Sequence, residues 1–187
     1  MDKYQVRRYL KEQRARLTYR QRLAKSEKIM ATLIEQLKGY KKIGFYINKN
    51  DEVMTLEFLP YFLEHFDVIA ATVVDEEDGT MEFRQFTNVK QLKEGYVGIL
   101  EPLEGDVISK EDLDVILVPM LGYDKYCNRI GYGKGYYDRY LEDYKGLKIG
   151  LGFVEQNLSK IPTEDHDVRL DKVITDREVI DLPSYLR

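Results

Sequence analysis

Three glycines alternate at Gly131, Gly133 and Gly135, inside the run from Gly122 to Leu141. Glycine accepts positive φ and lets the backbone approach a ligand closely. Successive backbone N–H groups in such a loop form a concave nest for an anion. A helix starting just after it adds free N–H donors and partial positive charge. Arg129 and Lys134 supply full charges beside the glycines. Together these residues have the chemistry of a phosphate cradle. It is not a Walker loop, because Gly135 and Tyr136 follow Lys134 where Ser or Thr should stand. It is not the dinucleotide fingerprint either, because the spacing is Gly-x-Gly-x-Gly and about ten residues separate it from the preceding strand. A loop packed by its own tyrosines is the plainer reading of the same glycines.

A cradle needs a strand before it and a helix after it. Asp114 to Met120 reads as a buried strand with Pro119 at its end, and about Gly135 to Tyr144 reads as the helix. Upstream, Asp2 to about Arg16 lacks Gly and Pro and reads as a helix. Thr18 caps a second helix to about Lys38, with Met30, Leu33, Ile34 and Leu37 on one face and Gly39 at its end. Ile43, Phe45 and Ile47 alternate as a strand, and the loop Asn48–Glu52 follows. Thr55 opens a short helix through about Glu64, which Pro60 should kink or delay. Val68 to Val74 is a strand buried on both faces. Asp75 to Gly79 is a turn, and Met81 to Phe86 a weaker strand. Asn88 to Lys93 suggests one or two helical turns, Leu147 to Phe153 another strand, and Lys172 to Thr175 the last. Strands alternating with helices predict an α/β fold: a mostly parallel sheet with helices on both faces, a Rossmann-like three-layer sandwich. One domain over residues 1–187 is the economical reading.

Composition bounds what such a domain does. The single cysteine, Cys127, excludes an internal disulfide framework and a cysteine-rich metal site. No apolar run approaches the roughly 20 residues of a membrane span. The N-terminus begins with charge and has no secretory apolar region, so the cytoplasm is the expected compartment. Residues 1–28 hold ten basic and three acidic groups, a net +7, whereas the remainder holds nineteen basic and thirty acidic groups, a net −11. A basic N-terminal helix on an acidic body points to an anionic ligand or to a merely solvated face.

The whole run Asn128-Arg129-Ile130-Gly131-Tyr132-Gly133-Lys134-Gly135-Tyr136-Tyr137-Asp138-Arg139-Tyr140-Leu141 resembles the signature of the 5-formyltetrahydrofolate cyclo-ligase family. The family pattern Arg-x-Gly-x-Gly-x-Gly-Tyr-Tyr-Asp is filled at every fixed place, from Arg129 to Asp138. Lys3-Tyr4-Gln5-Val6-Arg7 is similar to the family's Lys-x-x-Leu-Arg, with Val for Leu. Asp51-Glu52 stands where members have an acidic loop, and Pro162 to Asp167 matches a Pro-x-x-x-x-Asp segment. Cys127 departs from the glycine of many members.

The resemblance implies an ATP- and Mg²⁺-dependent conversion of 5-formyltetrahydrofolate to 5,10-methenyltetrahydrofolate, with release of ADP and phosphate. It implies that Lys3, Arg7 and the loop Arg129, Ile130, Gly131, Tyr132, Gly133, Lys134, Gly135, Tyr136 and Tyr137 bind ATP. Arg129 and Lys134 would neutralise the transferring group. Ile47, Glu52 and Tyr132 to Tyr136 would face the folate, and Asp138 and Asp167 would hold Mg²⁺. The partners implied are small molecules, with no nucleic acid and no membrane, on a monomer or weak homodimer. By residue type alone, Asp138 also reads as a helix-start charge, Asp167 and Glu52 as loop residues, and Lys3 and Arg7 as solvated charges. His65 and His166 show no metal spacing. Two rival readings use some of the same residues. A sugar-phosphate isomerase would use the glycine loop without Lys3, Arg7 or the carboxylates. A nucleic-acid binder would need a broad basic face that the −11 body does not offer.

Overall fold

The computed structural model describes residues 1–187. Helix α1 (Lys3–Ala15) starts at Asp2, whose carboxylate accepts the Gln5 N–H while the Gln5 side chain accepts the Asp2 N–H. Helix α2 (Tyr19–Gln36) opens with the same reciprocal cap between Thr18 and Gln21. Each pairing satisfies two N–H groups that a helix start otherwise leaves open. Helix α2 ends at Gln36, two residues before the expected Lys38, with Gly39 at positive φ beyond it.

Strand β1 (Lys42–Phe45) is shorter than expected, and Ile47 lies outside its ladder while remaining buried. The reason is Asn48, whose side-chain oxygen accepts the N–H groups of Thr55 and Leu56 and folds the chain into a closed loop. Pro60 delays the next helix as expected: a 3-10 turn over Leu56–Phe58 precedes α3 (Leu59–His65), where proline sits in the first turn. β2 (Val68–Asp75) and β3 (Thr80–Gln85) form a hairpin around Gly79. The segment Asn88–Lys93 holds only a 3-10 turn, Val89–Gln91. Short strands follow that the sequence pattern did not announce: β4 (Lys93–Glu94), β5 (Leu100–Glu101) and β6 (Val107–Ile108).

β7 (Val115–Val118) ends before Pro119, and β8 (Gly122–Tyr123) pairs with β9 (Arg129–Ile130) in a small hairpin. Helix α4 spans only Tyr136–Leu141. β10 (Leu147–Leu151) and β11 (Lys172–Ile174) complete the parallel strands. β11 is not the last strand, since β12 (Val179–Asp181) folds back antiparallel on it.

Eight of these strands make one sheet in the order β12-β11-β10-β7-β1-β2-β3-β6. The run from β11 to β2 is parallel, and antiparallel strands lie outside it at both ends. Side chains alternate across the sheet. Val115 and Leu117 join a core with Leu33 of α2 and Phe62 of α3, whereas Ile116 and Val118 join one with Leu141 of α4 and Tyr144. Burial on both faces explains why β7 is apolar at every position. No helix is long and apolar enough to cross a membrane.

From β1 the chain moves to β2 on one side, and from β7 it moves to β10 on the other. The strand order therefore reverses between β1 and β7. In open α/β sheets the crevice outside the carboxyl ends at such a point binds ligands. The loops that leave these two strands are the Asn48–Glu52 loop and the glycine-rich segment.

Candidate active site

A cavity of about 310 Å³ opens at that crevice. Its walls include every residue that the resemblance assigns to a ligand: Lys3 and Arg7, Ile47 and Glu52, the whole stretch Arg129–Asp138, and Asp167. Four separate parts of the chain meet there.

The β8–β9 hairpin aims the glycine loop. Its turn closes on Asp124, which is fully buried and accepts the N–H groups of Tyr126, Asn128 and Ile161 and the Asn128 side-chain amide. Cys127 sits in this turn at φ +60, the left-handed region where glycine is least strained. The turn forms without glycine because Asp124 binds it from inside. Burial pushes the Cys127 thiol up to about 12, so it is a packed small residue rather than a nucleophile. In the loop, Gly133 has φ +104, and a Cβ there would lie 3.4 Å from the Arg7 guanidinium carbon. A Cβ on Gly131 would lie 2.7 Å from Arg129 Nη2. These glycines thus make room for two guanidinium groups. Arg7 Nε donates to the Gly131 carbonyl at 2.8 Å, fixing α1 against the loop. Helix α4 has only six residues, so the charge at its start is supplied more by side chains than by its dipole.

Cations and carboxylates pair around the cavity. Lys3 Nζ lies 2.7 Å from Asp167 Oδ2. Burial opposes ionisation of Asp167, but Lys3 and the Glu164 N–H outweigh it and hold the carboxyl below its ordinary value. Arg129 Nη1 lies 3.3 Å from Asp138 Oδ1, which also accepts the Val168 N–H. The Arg129 side chain is 7% exposed, and its Nε is buried with no partner. Burial draws the Arg129 pKa below the usual guanidinium value, against the opposing Asp138 charge. Lys134 is exposed. Both contacts to Asp138 fall on Oδ1 and leave Oδ2 without a protein partner. Asp167 is instead held on Oδ2 by Lys3 and the Glu164 N–H. A pair of carboxylates would suit Mg²⁺, which takes few protein ligands and keeps waters and phosphate oxygens. No cluster of three or more His, Cys, Asp or Glu side chains exists that would serve a more demanding metal.

Another part of the lining is acidic and aromatic. Glu52 is 4% exposed, and its Oε1 accepts the Lys49 N–H at 2.6 Å. Its Oε2 accepts the Tyr132 hydroxyl at 2.9 Å. Burial and the Glu52 charge raise the Tyr132 pKa, and burial first of all raises that of Tyr137. Tyr136 meets Tyr96 edge to face at 5.6 Å.

Sequence reasoning missed several residues here. Lys49, Thr72, Tyr96, Val97 and His166 also line the cavity. Arg14 is buried on α1 beneath it, and a signal for it existed: Arg7 and Arg14 are seven residues apart and share a helix face with Leu10. Tyr96 and Val97 carried no such signal.

The family described as the 5-formyltetrahydrofolate cyclo-ligase family matches residues 1–176. A Mus musculus protein named 5-formyltetrahydrofolate cyclo-ligase is 31% identical over 168 residues, spanning 83% of this chain and 82% of its own. The NMR structure of 5,10-methenyltetrahydrofolate synthetase from Aquifex aeolicus superposes with a TM-score of 0.89 at 30% identity, covering 98% of this chain and 94% of that one. A 5,10-methenyltetrahydrofolate synthetase from Mycoplasma pneumoniae gives a TM-score of 0.78 at 26% identity, over 94% of this chain and 99% of that one.

Proposed function

This chain belongs to the 5-formyltetrahydrofolate cyclo-ligase family, and from that premise we propose that it converts 5-formyltetrahydrofolate to 5,10-methenyltetrahydrofolate with Mg·ATP, releasing ADP and phosphate. A formamide carbonyl is a poor electrophile, and its oxygen is a poor leaving group. Transfer of the γ-phosphoryl group to the formyl oxygen makes that oxygen a good leaving group. The amine at position 10 then attacks the formyl carbon and loses its proton. The C–O bond breaks, and phosphate departs with the former formyl oxygen. Most of the protein's task is positioning and charge stabilisation.

Roles divide between the two parts of the lining. Lys3, Arg7 and the loop Arg129–Tyr137 take the triphosphate, with Arg129 and Lys134 beside the group in transfer. Asp138 and Asp167 would hold Mg²⁺, which when bound neutralises phosphate charge. Glu52, both of whose oxygens are already oriented, accepts the N–H groups of the pterin. Ile47 and Tyr132 to Tyr136 line the folate's path. The proposed assembly is a monomer or weak homodimer. The site also joins α1 to Asp167 near the other end of the sequence, which fits one domain over residues 1–187. A lone buried thiol suits a reducing cytoplasm.

The observation that carries this reading is the convergence of Lys3, Arg7, Arg129, Asp138 and Asp167 with Glu52 on one cavity. A sugar-phosphate isomerase has no use for that pairing of two carboxylates with a phosphate cradle. The test is direct: purified protein with Mg·ATP and 5-formyltetrahydrofolate should develop the near-ultraviolet absorbance of the methenyl product. No change at any ATP concentration refutes the reading.

A further inference from the structure

Arg14 does not line the cavity, yet it is 2% exposed and grips three parts of the site at once. Its Nη2 donates to the Tyr132 hydroxyl oxygen at 2.7 Å and to Asp51 Oδ1 at 2.9 Å, and its Nη1 donates to the Met120 carbonyl at 3.3 Å. Met120 follows β7, Asp51 lies in the loop after β1, and Tyr132 belongs to the glycine loop. One guanidinium therefore spans the crevice between the two strands where the order of the sheet reverses.

The direction of these bonds is fixed by chemistry. Arginine only donates, so the Tyr132 oxygen must accept from it. The single phenolic proton of Tyr132 is then committed to its other neighbour, Glu52 Oε2, at 2.9 Å. The ring is held as well: Lys49 Nζ lies 4.4 Å from its centroid and the Arg14 guanidinium carbon 5.7 Å. Burial taken alone works against the Arg14 charge, and the Tyr132, Glu52 and Asp51 side chains around it more than compensate. The chain Arg14–Tyr132–Glu52 thus links the phosphate-side loop to the folate-side carboxylate through two short bonds.

We propose that Arg14 is a positioning residue that couples the two halves of the site, so that nucleotide in the glycine loop and folate at Glu52 bind cooperatively through Tyr132. The proposal rests on the reading above, in which the glycine loop takes ATP and Glu52 the folate. Any shift of the glycine loop on nucleotide binding moves Tyr132 and with it the donor on Glu52. Coupling of this kind is reciprocal: each ligand changes the other's affinity by the same factor.

The test measures binding without turnover. Titration calorimetry gives the Kd of 5-formyltetrahydrofolate alone and with a saturating, non-hydrolysable ATP analogue and Mg²⁺. In the unaltered protein the analogue should tighten folate binding about fivefold or more. Tyr132→Phe keeps the ring and removes only the relay. Arg14→Lys keeps the charge but replaces the planar guanidinium fork with a compact point charge of different reach. Both variants should bind folate about tenfold more weakly, and the analogue should then change that affinity by less than about twofold. For Arg14→Lys, which lies outside the cavity, affinity for the analogue alone should stay within about threefold of the original. An Arg14 that merely braces the fold would lower the unfolding midpoint and leave the coupling factor intact. If Arg14→Lys does not fold, Tyr132→Phe decides alone. Variants that retain the original coupling factor overturn the proposal, as does an unaltered protein that binds both ligands independently. An unaltered protein that binds no folate overturns the functional reading instead.

Discussion

Replacing Arg129 with methionine separates a ligand-binding role from a structural one. The Arg129 guanidinium is almost wholly buried, its one charged partner is Asp138 at 3.3 Å, and its Nε has no partner. An unsatisfied buried donor costs roughly 1–3 kcal/mol, and a hydrogen bond to a charged group contributes about 1.5–3 kcal/mol. Arg129→Met removes both the liability and the bond while keeping most of the volume. Asp138 retains the Val168 N–H. The two effects nearly cancel, so stability should change by no more than about 1–2 kcal/mol. Catalysis should suffer far more. Loss of one preorganised group facing developing charge costs about 10²- to 10³-fold in rate, or roughly 2.7–4 kcal/mol. Denaturant unfolding supplies the first number, and initial rates of methenyl formation against ATP supply the second. Folate affinity should move less than the ATP dependence does. A variant destabilised by more than about 3 kcal/mol that keeps its rate per folded molecule would refute the reasoning and make Arg129 a structural residue.

Three further outcomes are expected. Asp138→Asn should raise the Mg²⁺ concentration needed for half-maximal rate, and an unchanged Mg²⁺ dependence would reduce Asp138 to a partner for Arg129 and Val168. Gly133→Ala places a side chain at φ +104 and 3.4 Å from the Arg7 guanidinium carbon. It should cost about 1–2 kcal/mol and raise the KM for ATP, read by denaturation and kinetics. Cys127 has a folded-state pKa of about 12 against an ordinary 9.0, because burial favours the neutral thiol. Its contribution to stability is complete below 9.0 and is lost as pH climbs toward 12, because the unfolded chain ionises first. Cys127→Ala should flatten that alkaline slope, measured as unfolding free energy from pH 8 upward, and an identical slope would place the loss entirely in other groups.

Much of this was legible in residue patterns, for definite reasons. The Thr18 cap, the apolar face of α2 and the doubly buried run of β7 are local signals with local causes. The glycine loop was legible because its chemistry is contiguous in the chain. The site's other members were legible only through family resemblance, since nothing near Asp167 in sequence announces that Lys3 will lie 2.7 Å away. What the pattern missed depends on long-range contacts. β4, β5, β6, β8 and β9 have two residues each, too few to show a period, and their ladders exist only because distant segments meet. Ile47 alternates with Ile43 and Phe45 yet leaves the strand, because Asn48 offers the backbone a competing set of bonds. Arg14 resembles any helical arginine until the fold buries it between Asp51 and Tyr132.

The central claim is that phosphate is transferred to the formyl oxygen and leaves with it. Turnover of 5-formyltetrahydrofolate labelled with ¹⁸O at the formyl group, in unlabelled water with Mg·ATP, tests it directly by mass spectrometry of the released phosphate. One labelled oxygen should appear in each phosphate, in step with the methenyl product. Unlabelled phosphate, or product formed without phosphate release, would contradict the account.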